Sequence, residues 1–148
     1  MAADLSKPSV YELTRLEHVQ IRNQLRELHR VLAMQQTSLE EVERLLQELR
    51  AGLHQHFCNE EREGFFEQIV ARAPQLSRQA DSLTHEHAAM IEELDSILRS
   101  THRGEVQPVC WRTLALRFED FMKCLMHHES EENGMLQQAY VDDLGTKD

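Results

Sequence analysis

Glycine and proline are scarce, at five and three among 148 residues, and they fall mostly outside the periodic stretches. That excludes a fold built on many tight turns, and aromatics at only 5% leave little of the material that strands favour. The remainder predicts an all-helical protein. Basic residues are also in deficit: 16 against 26 acidic give a net charge of −10. This speaks against nucleic acid and anionic membrane as partners, since both need a basic footprint. Cysteine is rare and odd in number; Cys58, Cys110 and Cys124 lack CxxC spacing, so no disulfide framework is expected and a reducing cytoplasm is the default. No apolar run approaches the length of a membrane span, and MAADLSKPSVYEL at the start lacks the apolar stretch of a signal peptide.

Histidine, by contrast, is abundant at nine residues, and its placement matters more than its number. Ser9 and Glu12 form a capping box that predicts a helix from about residue 10 to 35, with His18, Ile21, Leu25, Leu28 and Leu32 along one seam. Ser38 and Glu41 form a second box, opening a helix over 39–72 whose seam is Val42, Leu46, Leu49, Leu53, His56 and Glu60. Gly64 falls inside it as a loosening point, and Ala73-Pro74 stops it. A third helix over 75–101 carries Ala80, Leu83, His87, Met90, Leu94 and Ile97. A fourth over 108–140, with Pro108 in its first turn, carries Leu114, Phe118, Phe121, Leu125, His128, Glu132 and Met135. The tail, 141–148, is polar and ends in a glycine-containing turn. Such helices with short connections predict one domain over 1–148, an up-down-up-down antiparallel four-helix bundle.

Counting from the helix ends places the polar seam positions at one depth. His18 and His56 stand almost equally far from the turn at Gln35–Ser38, and Glu60 and His87 equally far from the turn at Arg72–Gln75. His128 is less tidy. It stands farther beyond Pro108 than His87 stands before Thr101, so the fourth helix has to overhang at its start.

Each helix thus sets one histidine in an apolar seam, and the second and fourth add Glu60 and Glu132 four residues later, about one turn (~5.4–6 Å) along the same face. Burying such groups unpaired costs several kcal/mol, which asks for a partner such as a metal ion. The pattern is weakly duplicated: Glu17-His18 and Glu86-His87 each open an apolar stripe, and a His-x-x-x-Glu follows each. Imidazoles with carboxylates suit iron, manganese or zinc, and two carboxylates facing across a bundle can bridge two ions. A lone histidine on an apolar face is more often a satisfied core residue, but four on four helices are hard to account for that way. His29, His54, His85 and His102 are expected to face solvent; His127, off the stripe, ranks behind His128. Met90, Met122, Met126 and Met135 read as core filler, and Cys58, roughly 200° around the helix from His56, reads as ordinary.

HFCNEE at His56–Glu61, the EH of Thr84-His85-Glu86-His87 and HESEEN at His128–Asn133 together resemble the hemerythrin-like, or HHE cation-binding, domain. The likeness covers roughly Leu13 to Leu144, including an AYVDDLG tail like that of small bacterial members. It implies that His18, His56, His87 and His128 are terminal nitrogen ligands and that Glu60 and Glu132 bridge two non-haem irons, with zinc or manganese as other cations. The implied partner is a small ligand: oxygen, peroxide or nitric oxide. The chain also departs from the family's oxygen carriers, which put a His-x-x-x-His pair on the third helix; here Leu83 and Ile91 flank His87. The carriers' fourth-helix carboxylate is an Asp at a spacing of five, whereas Glu132 stands four after His128. One iron then has fewer nitrogen ligands, which moves the expectation from carriage to ligand binding or sensing. The alternatives are a di-iron enzyme turning over peroxide or nitric oxide, and a zinc-bound or metal-free scaffold. Glu61 and Glu131 are available as replacement ligands, but the periodicity puts both off the seam. A ferritin-like oxidase is disfavoured, because the residues three before the seam histidines are Arg15, Leu53, Thr84 and Leu125 where Glu-x-x-His needs glutamates.

Overall fold

The computed structural model describes residues 9–35, 37–62, 64–103 and 110–142. Among them are five α-helices and no strand: α1 (Val10–Met34), α2 (Leu39–Arg62), α3 (Phe65–Arg72), α4 (Ser77–Arg103) and α5 (Trp111–Gln137). A 3-10 turn, Pro74–Leu76, leads into α4, and a π-helical turn, Gln138–Asp142, extends α5.

Local chemistry explains most of these boundaries. Ser9 Oγ accepts from the Glu12 amide at 3.2 Å and Glu12 accepts from the Ser9 amide at 3.3 Å, closing the capping box of α1. At α2 only half of the second box forms: Ser38 Oγ accepts from the Glu41 amide at 3.1 Å, while the Glu41 carboxylate pairs with Arg44. The expected single helix over 39–72 is two helices. Gly64 has φ +85°, a left-handed conformation that a helix interior does not accommodate, and it re-aims the chain. Phe65, Phe66 and Ile69 of α3 thereby fold over the end of the bundle and pack with Met135, Leu136 and Ala139. The expected helix start at Pro108 and the tail residues 143–148 lie outside the described residues, while Val141 and Asp142 belong to the π-helical turn.

The four long helices, α1, α2, α4 and α5, form the bundle. α1 packs on α2 and α5, and α4 packs on the same two, so α1 and α4 are diagonal and sequence neighbours are spatial neighbours. Every predicted seam residue is buried. Below the seam histidines lies a long apolar core that includes Leu25, Leu46, Leu49, Leu94, Ile97, Phe118 and Phe121. Above them lies a smaller one of Phe65, Ile69, Leu83 and Met135. Full burial of each such side chain is worth about 1.5–3 kcal/mol. The histidines and glutamates form a polar layer between the two. The overhang expected of the last helix is not needed. α4 runs on to Arg103 and α5 begins at Trp111, so His87 and His128 stand almost equally far from these facing ends and come level. Among the described residues, no helix is long and apolar enough to cross a membrane.

Candidate metal centre

His18 on α1, His56 and Glu60 on α2, His87 on α4, and His128 and Glu132 on α5 converge in this layer, each at most 4% exposed. The His18 and His56 rings lie 4.9 Å apart, centroid to centroid, and the His87 and His128 rings 5.0 Å apart. His56 Nε2 is 2.7 Å from Glu60 Oε1, His18 Nε2 is 3.5 Å from Glu132 Oε2, and His128 Nε2 touches Glu132 Oε1. The donor atoms form two sets, His18, His56, Glu60 and Glu132, and Glu60, His87, His128 and Glu132. Within each set one atom per residue lies within 4.8 Å of all the others. Both carboxylates belong to both sets.

The outward nitrogens show why the rings face this way. His56 Nδ1–H donates to Glu17 at 3.4 Å and His128 Nδ1–H to Glu86 at 2.7 Å, so the glutamate preceding the first histidine of each half orients the histidine of the next helix. His87 Nδ1–H donates to Glu61 at 3.3 Å and His18 Nδ1–H to the Asn133 amide oxygen at 3.0 Å, so the residue after each seam glutamate serves the remaining histidines. Because these acceptors fix the proton on Nδ1, every Nε2 presents a lone pair to the centre. The repeat faint in the sequence is thus a working pseudo-twofold relation between α1–α2 and α4–α5.

The sequence pattern described as the hemerythrin HHE cation binding domain matches residues 9–140. The chain belongs to this family. No curated protein and no solved structure matches it.

Membership in a cation-binding hemerythrin family agrees with the chemistry of the layer. The four Nε2 atoms and all four oxygens of Glu60 and Glu132 are buried without a hydrogen-bond partner. As neutral imidazoles and carboxylates all present lone pairs, and such atoms facing one another at 2.7–3.5 Å repel unless a proton or a metal cation lies among them. The donor set therefore fits a metal. In the metal-free hemerythrin domain, burial pushes the Glu60 carboxyl well above its ordinary range, and the charge on Glu132 adds to the effect. Burial works against the charge on Glu132 too, but its contacts with Glu60, His128 and His18 outweigh it and hold that carboxyl low. Burial lowers His87 to about 3. It acts in the same sense on His128, but there Glu132 and Glu86 prevail and raise it.

Other histidines stay outside the layer. His29, His54, His85 and His102 are exposed, and His127, 75% exposed, pairs with Glu131 at 3.1 Å, which sets both outside the layer. Glu61 reaches the site only behind His87. Met90 and Met135 are core residues and Met122 packs against the core, but Met126 is 43% exposed and fills nothing: on α5 it faces away from the seam that Leu125 occupies. Reading the seam alone overlooked Glu17, Glu61, Glu86 and Asn133 as supports for the rings, although the duplicated Glu-His pairs held the clue. It also overlooked Glu129, 1% exposed with both oxygens unpartnered.

Proposed function

We propose that this hemerythrin domain holds two iron ions in the polar layer and binds or senses a small ligand: oxygen, peroxide or nitric oxide. The observation that carries the reading is the convergence of eight buried, unpartnered acceptor atoms from six residues on four helices. His18 and His56 would hold one ion and His87 and His128 the other, with Glu60 and Glu132 shared between them. When bound, such a pair supplies reversible redox chemistry and open coordination positions for a small ligand.

The rest of the work falls to the chain. Glu17, Glu61, Glu86 and Asn133 hold the imidazole protons on the outer nitrogens, keeping the inner ones free for coordination. The apolar layers above and below exclude bulk water. A cavity of about 150 Å³ reaches Glu60 between Leu13 and Thr14 of α1, Asn59 of α2 and Phe65 of α3, and it admits small molecules only. The reducing cytoplasm belongs to the same reading, supported by Cys58, Cys110 and Cys124 being unpaired.

The test is metal analysis by mass spectrometry with an absorption spectrum, on protein from iron-supplemented cells. Two irons per chain are expected, with a near-ultraviolet band that changes on adding peroxide or nitric oxide. Recovery of the band after the ligand is removed supports binding or sensing; net consumption of the ligand supports turnover. Zinc, or no metal with iron unable to load afterwards, would overturn the di-iron reading and leave the layer as a feature of a scaffold.

A further inference from the structure

The pseudo-twofold relation makes the two halves of the centre comparable position by position: besides Glu61 against Asn133 behind the rings, they differ in two places that decide what is buried beside them. The residue after the second histidine of each half is Phe57 on α2 and Glu129 on α5. The residue four beyond the first histidine is Arg22 on α1 and Ile91 on α4. Phe57 lies flat on His87, with ring centroids 3.9 Å apart and planes 7° apart, and Ile91 packs against the same apolar core. At these two positions the His87–His128 half therefore carries hydrocarbon, its carboxylates Glu61 and Glu86 standing behind the rings. On the other half, Glu129 is buried with neither oxygen partnered, and Arg22 Nε is buried and unpartnered as well. Glu129 lies within electrostatic reach of His18, His56, Glu132 and Arg22.

A buried carboxylate with no donor is costly unless a proton or a positive charge compensates it. Arg22 is near but makes no hydrogen bond to Glu129, so it does not meet that need by itself. A cation among His18, His56 and Glu132 would. Resting on the metal-centre reading above, we infer that Glu129 is a third carboxylate serving the His18–His56 half alone, so that the centre has two unequal positions. The His18–His56 position takes its cation first and favours hard, highly charged ions such as ferric iron or manganese. The His87–His128 position, with Phe57 and Ile91 where the other half has Glu129 and Arg22 and with its carboxylates Glu61 and Glu86 half-exposed behind the rings, is the weaker and more exchangeable one. The Glu129 oxygens lie outside the sets whose atoms fall within 4.8 Å of one another, so Glu129 acts as a positioning and charge-setting residue.

Cobalt(II) is the probe, titrated anaerobically into metal-free wild-type protein and into Glu129→Gln, with calorimetry and the visible spectrum as readouts. A crystal loaded with one equivalent locates the first ion by anomalous scattering. Wild type is expected to bind two ions with separate constants, the first at His18–His56. Glu129→Gln is expected to weaken the first constant about 10–100-fold, in the range found for groups supporting a metal's ligands, and to move the second by less than about threefold. Two overlapping constants unchanged by the substitution, or a first ion at His87–His128, would overturn the proposal while leaving the metal centre intact. A loss of stability in metal-free Glu129→Gln with unchanged constants would overturn it too, and would mean that Glu129 serves only a structural ion pair with Arg22. The one-equivalent crystal needs no variant, so it decides the matter even if Glu129→Gln does not fold. If wild type binds no cobalt at either half, the metal-centre reading fails and takes this proposal with it.

Discussion

The Phe57 ring stacks on the His87 imidazole with centroids 3.9 Å apart and a 7° angle between planes. This aromatic contact fixes a ring whose outer nitrogen is held only by the exposed Glu61 at 3.3 Å. Phe57 also joins the lower core, where it is 3% exposed. Phe57→Ala should therefore do two things. It should destabilise the metal-free protein by about 3–5 kcal/mol, as opening a cavity of that size does, and it should free His87 to rotate, lowering occupancy of that half. Chemical denaturation checks the first effect and metal content per chain the second. Unchanged occupancy would mean that Glu61 alone orients the ring.

Glu86 is expected to matter more to metal binding than to folding. It accepts the His128 Nδ1 proton at 2.7 Å, yet its own side chain is 46% exposed. Glu86→Ala should cost about 10–100-fold in metal affinity through loss of ring orientation and basicity. Equilibrium titration against a competing chelator measures this, with His127→Ala as the control expected to bind normally.

Histidine identity separates seam from surface in the same assay. His56→Ala and His128→Ala should lose metal, whereas His54→Ala should retain it, because His54 is exposed and points out of the layer. Elemental analysis of the purified variants gives the comparison, and equal losses from His54→Ala and His56→Ala would refute the assignment.

Acid should weaken the metal-free fold through His87. Its folded pKa is lowered to about 3 by burial, against 6.5 for an unperturbed imidazole. Between those values the unfolded chain binds a proton that the folded chain refuses, so stability falls as pH drops from about 6.5, with a slope approaching ~1.4 kcal/mol per pH unit. His128 and Glu60 are raised in the folded state and act oppositely: each contributes stability below its unfolded pKa that is lost as pH rises through its folded value. His87→Leu should flatten the acid limb by about one proton in urea unfolding between about pH 6.5 and 4.5. An unaltered slope would show that the carboxylates alone govern it.

Metal should stabilise the fold, since a cation bound only to the folded state adds about 2.7 kcal/mol at a free concentration roughly 100 times Kd. Differential scanning calorimetry with and without metal reads the shift directly. Identical melting would support the scaffold alternative.

The face of each helix was legible in the sequence because it depends only on the helical period. The spacing of His18, Ile21 and Leu25, or of His128, Glu132 and Met135, assigns those residues to one stripe before any neighbour is known, and the structure buries them all. The count of four long helices, the two Ser-x-x-Glu starts and the meeting of six polar residues follow from the same local arithmetic. What the sequence could not settle depends on groups far apart along the chain. Gly64 was visible, but whether it bends a helix or ends one depends on α3 finding Met135, Leu136 and Ala139 to cover. Glu17 and Glu86 stand beside histidines that they do not touch; each holds a ring on the next helix, a choice made by helix rotation and separation. Glu129 sits one position off its stripe, where periodicity allows either water or burial, and tertiary packing buried it. Periodicity fixes the direction of a side chain around its own helix axis, but only tertiary packing decides what lies in that direction.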